Sequence, residues 1–98
     1  MTQNNTTYEV EVREEYRADG SILFQTPYVN EEKHGTEKWF YESGALKQEV
    51  PYVNGKIHGL VFFYYPSGAI AVTAPYVNGE SHGEVKIYDE DGRNKGEI

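Results

Sequence analysis

His34, His58 and His82 stand 24 residues apart, and a glycine follows each of them. Three imidazoles in register are the side chains best suited to chemistry in this chain, as metal ligands or as a general base. Equivalent residues in neighbouring copies of a β repeat lie two strands apart, roughly 9–10 Å. Zinc takes its nitrogens at about 2.0–2.1 Å, so imidazoles across that gap barely converge on one ion. Repetition also argues against catalysis, because an active site is one constellation of unlike residues. No Ser-His-Asp arrangement, distinctive carboxylate pair or phosphate-cradling glycine loop stands outside the repeated frame. The reading is no enzyme, no metal and no cofactor. His34, His58 and His82 are then structural, bonding turn backbone or packing on a repeated tyrosine.

The elements that position these residues come from a repeat of the same period. Pro-Tyr-Val-Asn recurs at 27–30, 51–54 and 75–78, and single glycines recur at Gly20, Gly44, Gly68 and Gly92. An aromatic opens each unit, at Tyr16, Phe40, Tyr64 and Tyr88. Full units therefore run 16–39, 40–63 and 64–87, with partial units at both ends of a single domain over 8–98. Residues 1–7 are read as a flexible N-terminus. Within a unit, Leu60-Val61-Phe62-Phe63-Tyr64-Tyr65 is β-branched and aromatic and favours a strand. Pro66-Ser67-Gly68 breaks it, and a second segment follows with Ile70, Val72, Ala74 and Tyr76 alternating. Asn54-Gly55 and Asn78-Gly79 are strong hairpin signals. Asn30-Glu31 departs from them, which predicts a longer or differently shaped first turn. Pro27, Pro51 and Pro75 cannot donate to a ladder, so pairing should loosen late in each second strand. The fold class is all-β: an elongated antiparallel meander of about eight strands, built from 24-residue β-hairpin repeats.

Composition bounds the function. The 98 residues carry a formal charge of −7, no Cys, 9 Tyr, 4 Phe and 1 Trp. An acidic surface repels phosphate backbones and anionic lipid, so neither nucleic acid nor a membrane is an expected partner. No apolar run approaches the ~20 residues of a transmembrane helix, and the first residues show no secretory pattern. The expected location is the cytoplasm. The scattered acidic residues read as a solvated surface, with steering of a basic partner as the alternative.

Period-two alternation predicts two faces. One core-like face collects Phe40, Phe62, Tyr64 and Tyr88 with Ile22, Phe24, Leu46, Ile70 and Val72, provided no bulge shifts the parity. Tyr8, Val10 and Val12 continue it. The other face carries Trp39, Phe63 and Ile87 at one repeat position, Tyr41 and Tyr65 two residues later, and Val61 and Val85 two residues earlier. Arg13, Glu15 and Arg17 fill those three positions at the N-terminal end. Two readings stand for this second face. Either the twisted sheet curls and buries it, or it is a partner-binding or self-association surface. On the second reading the binding residues are Trp39, Tyr41, Val61, Phe63, Tyr65 and Ile87, while Gly20, Gly44, Gly68, Tyr28, Tyr52, Tyr76 and the histidines serve the repeat.

Through the frame Tyr-x-x-x-Gly, Pro-Tyr-Val-Asn-Gly and His-Gly, the sequence resembles the MORN-repeat variant family over residues 16 to 92. It resembles most the bacterial YwqK-like antitoxin components of toxin–antitoxin pairs. Phe40 to Lys47 and Pro51 to Leu60 carry the likeness best, whereas Glu31 departs from the turn glycine. The resemblance implies β-hairpins stacked into an extended sheet, a role in protein–protein association and, for the antitoxin relatives, neutralisation of a toxin by binding. The leading expectation is therefore a non-enzymatic binding module whose partner is another protein. The alternatives are a small-ligand module that takes choline or a carbohydrate on its aromatic hairpins, and a scaffold that self-assembles into homo-oligomers through open sheet edges.

Overall fold

Each 24-residue unit holds two runs of β-formers, and each run ends at residues that take left-handed backbone conformations, so the chain can only reverse and pair with itself. A computed structural model of the protein describes residues 9–98. The expected flexible segment 1–7 and Tyr8 lie outside the described residues. Eleven strands follow: β1 (Glu11–Tyr16), β2 (Ile22–Val29), β3 (Glu32–Lys33), β4 (Gly35–Phe40), β5 (Leu46–Val53), β6 (Lys56–Ile57), β7 (Gly59–Tyr64), β8 (Ile70–Val77), β9 (Glu80–Ser81), β10 (Lys86–Tyr88) and β11 (Asn94–Glu97). They form one open antiparallel sheet in the order β1-β2-β4-β5-β7-β8-β10-β11. The two-residue strands β3, β6 and β9 pair beside the turns of β2, β5 and β8. Among the described residues there is no helix. The meander of eight principal strands matches the reading of the repeat. Its radius of gyration of 16.2 Å exceeds the roughly 13 Å of a compact domain this size, as a single elongated layer requires.

The unit's two turns differ in construction. At the first, Gly20, Gly44 and Gly68 donate their N–H groups to the carbonyls of Arg17, Tyr41 and Tyr65 at 2.8–2.9 Å. At the second, Asn54-Gly55 and Asn78-Gly79 both have positive φ, the signature of the two-residue turn that suits strand twist. Asn30 and Glu31 adopt the same turn, with φ of 51° and 66°. The expected longer first turn is thus corrected: strand pairing on both sides imposes the short turn, and Glu31 accepts a conformation usually left to glycine. Arg13 holds its carboxylate at 2.8 Å.

The prolines interrupt pairing on one side only. Between β1 and β2 the ladder runs through Val12 opposite Pro27. On the other side, β4 pairs with β2 only at Phe24 and Gln25. There the neighbouring chain breaks at His34, whose N–H donates to the Pro27 carbonyl at 3.0 Å, and β3 takes over. His58 with Pro51 and His82 with Pro75 repeat the arrangement.

A bulge in every hairpin redistributes the faces. Opposite the step from Glu15 to Tyr16, the partner jumps from Phe24 to Ile22 and leaves Leu23 unpaired. The same jump leaves Lys47, Ala71 and Lys95 unpaired. Because the extra residue flips the parity, Ile22, Leu46 and Ile70 share a face with Tyr16, Phe40 and Tyr64. Phe24 and Val72 instead lie on the face of Trp39, Phe63 and Ile87. The single core-like face expected from alternation is therefore split. The most buried residues, Thr26, Glu37, Val50, Val61 and Ala74, all lie on the Trp39 side. Tyr52, Ile57, Tyr76 and Val85 cover the apolar ones.

Candidate functional site

Residues paired directly across strands share a face, so the register alone builds this surface. One row across the sheet reads Glu15, Phe24, Trp39, Gln48, Phe63, Val72 and Ile87. Two residues along each strand, a second row reads Arg13, Thr26, Glu37, Val50, Val61 and Ala74. A third holds Tyr28, Tyr52 and Tyr76, paired with Lys33, Ile57 and Ser81. A groove of about 290 Å³ runs over these rows, with Trp39, Gln48, Val61 and Phe63 in its lining.

The N-terminal end of the groove is held by a buried polar cluster. Glu37 is only 4% exposed and stands where the repeat elsewhere has Val61 and Val85. One carboxylate oxygen accepts from the Trp39 indole at 2.9 Å. The other accepts from the Thr26 hydroxyl at 2.7 Å and the Lys33 ammonium at 3.0 Å. Burial pushes the Glu37 carboxyl up, but the donors Trp39, Thr26 and Lys33 together outweigh it and hold the group below the usual carboxylate value. Burial likewise pushes Lys33 down, and Glu37 more than restores it, leaving the ammonium above its usual value. Phe24 packs on Trp39 with ring centroids 4.5 Å apart. Trp39 is thus fixed on one side by a ring and at its nitrogen by a carboxylate. Cations cap the tyrosine row: Arg13 lies 3.9 Å from the Tyr28 ring centroid and Lys33 4.8 Å from that of Tyr52.

Of the residues singled out from sequence, Trp39, Val61, Phe63 and Ile87 come together on this face. Val61 is buried beneath the others, whereas Phe63 stays 38% exposed. Tyr41 and Tyr65 lie beyond the strand ends, and their hydroxyls donate to the backbone carbonyls of Tyr64 and Tyr88. The histidines brace turns: Nδ1 of His34 accepts from the Asn54 N–H at 3.2 Å, and Nδ1 of His58 from the Asn78 N–H at 3.3 Å. His82 is exposed. Among the described residues no group of three or more His, Asp or Glu gathers to hold a metal. Sequence reasoning missed Glu37, Thr26 and Gln48. The available signal was their departure from the repeat, since Gln48 stands where Phe24 and Val72 stand in the neighbouring units.

Residues 33–54 and 57–78 each match the profile of the MORN repeat variant family. The first match spans β4 and β5 and the second β7 and β8, so each covers one hairpin. Searches of curated proteins and of solved structures return no match. The matched segments mark a repeat module of a kind commonly used for binding or scaffolding and generally not for catalysis.

Proposed function

We propose that this protein is a non-enzymatic interaction module that grips a partner protein with the face centred on Trp39 and Phe63. The observation that carries this reading is Phe63. It remains 38% exposed in a mainly apolar row that a single-layer sheet has no second layer to cover. Interfaces concentrate their energy in aromatic anchors of this kind, surrounded by residues that exclude water. Trp39, across Gln48 in the same row, is held rigid by Phe24 and Glu37, which lowers the ordering cost of association. The finer role is that of an antitoxin or immunity-type protein, which neutralises its partner by occupying it. A chain of charge −7 suits a cationic target, and the affinity then falls as salt rises.

The test is co-expression with the product of the neighbouring gene, followed by calorimetry on the purified pair. Trp39→Ala and Phe63→Ala are each expected to weaken binding by about 2 kcal/mol, the range of an interface anchor. Unchanged affinity in both variants removes the proposed face.

A further inference from the structure

Gln48 sits at the centre of the groove. Trp39 lies directly opposite it on one side and Phe63 on the other. The two equivalent positions in the row are Phe24 and Val72, so the scaffold has no need of an amide there. Among the described residues no hydrogen-bond partner engages the Gln48 side chain. An amide flanked by two rings presents one acceptor and two donors to whatever covers it. That pattern complements a single peptide unit, one N–H and one C=O.

We infer that the groove takes an extended segment of a basic partner chain, with an apolar side chain seated between Trp39 and Phe63 and a backbone amide bonded by Gln48. This rests on the reading of the face given under Proposed function. The row from Phe24 to Ile87 crosses five strand spacings, roughly 24 Å, which an extended segment of about seven residues fills. Charge selects the partner's sign. Arg13 and Lys33 are the cations of the three rows, and both are ion-paired, with Glu11 and Glu31 and with Glu37. Glu15 closes the row with no cation paired to it among the described residues, on a chain of charge −7. A quaternary ammonium ligand fits less well. The Glu37 carboxylate already accepts from three donors, and one side of Trp39 is covered by Phe24.

Two blocked seven-residue peptides serve as probes, Lys-Val-Lys-Leu-Lys-Val-Lys and the same sequence with Glu for Lys. Binding is read by the fluorescence of Trp39, the only tryptophan, and by the NMR signals of the Gln48 side-chain amide. The lysine peptide is expected to saturate both signals and to weaken at least fivefold between 50 and 300 mM salt, while the glutamate peptide stays silent. Gln48→Leu is expected to bind about tenfold more weakly. It should keep its fold, because apolar residues occupy the equivalent positions. Equal binding of the lysine peptide by wild type and Gln48→Leu, with Phe63→Ala weakened, overturns this inference and leaves the face itself in place. No saturable binding of the lysine peptide, or equal binding of both peptides, overturns it as well. The binding-module reading is judged separately, on the natural partner.

Discussion

The Tyr65 hydroxyl donates to the backbone carbonyl of Tyr88 at 2.7 Å, reaching one unit further along the chain. Tyr41 does the same to Tyr64 at 2.5 Å, and Arg17 to the Phe40 carbonyl. One repeat position thus fastens each unit to the next, and two chemically different side chains fill it. The fourth equivalent, Asp89, instead accepts from the backbone N–H groups of Asp91 and Arg93 in its own turn. The stability of such an array is a sum of unit and neighbour terms, so this contact belongs to the neighbour term.

Removing the hydroxyl should therefore loosen one junction and spare the others. Tyr65→Phe is expected to cost about 1 kcal/mol, the net worth of one hydrogen bond. Amide hydrogen exchange should quicken about fivefold in β10 and β11 while β1 and β2 keep their rates. Uniform acceleration along the sheet would contradict a local staple.

The glycine that follows each histidine is set by a proline on the adjacent strand. Gly59 has a φ of +119°, and a Cβ placed there would lie 3.2 Å from the Pro51 ring carbon. Gly68 has a φ of +97° and open space around it. Gly68→Ala is expected to cost about 1 kcal/mol for backbone strain alone. Gly59→Ala adds the crowding and should cost about 2–3 kcal/mol. Urea denaturation of the two variants checks the order, and equal losses would show that Pro51 gives way.

Glu37 gives the fold an acid-sensitive side. Burial raises its carboxyl, but the hydrogen bonds from Trp39, Thr26 and Lys33 together outweigh that cost and leave the folded-state pKa below the ordinary 4.5. The folded protein binds that proton more weakly than the unfolded chain. The stabilisation is accordingly complete above about pH 4.5 and drains as the pH falls through the folded value. Glu37→Gln is expected to lose about 2 kcal/mol at neutral pH, because charge-assisted bonds weaken. The gap between wild type and variant should narrow on acidification. Urea midpoints from pH 3 to 7 measure it, and a constant gap would place the stabilisation in packing instead of charge.

Much of the architecture was legible because turn residues carry their conformation in their identity. Gly44 and Gly68, and the Asn54-Gly55 and Asn78-Gly79 pairs, mark reversals at a fixed interval, and β-branched and aromatic runs fill the spaces between. The bulges were not legible. Their unpaired residues, Leu23, Lys47, Ala71 and Lys95, range from aliphatic to cationic, since an unpaired position asks little of its side chain. Alternation alone, without them, puts Phe24 and Val72 on the opposite face from the one the register shows. Glu31 misled for a related reason: its turn is imposed by the ladders on either side, not by the residue. The Trp39 face was readable at Trp39, Phe63 and Ile87, which recur at one interval. Gln48 and Glu37 were hidden because they break that interval, and only the register shows that they sit beside the rings they serve.

Phe62 and Phe63 are neighbours in β7 that point to opposite faces, with Phe62 opposite Thr73 and Phe63 opposite Val72. The most direct test of the proposed binding face compares the two in one calorimetric titration against the co-expressed partner. Phe63→Ala is expected to weaken binding by about 2 kcal/mol, roughly thirtyfold, while Phe62→Ala stays within about twofold of wild type. A loss confined to Phe62→Ala, or absent from both variants, would contradict the account.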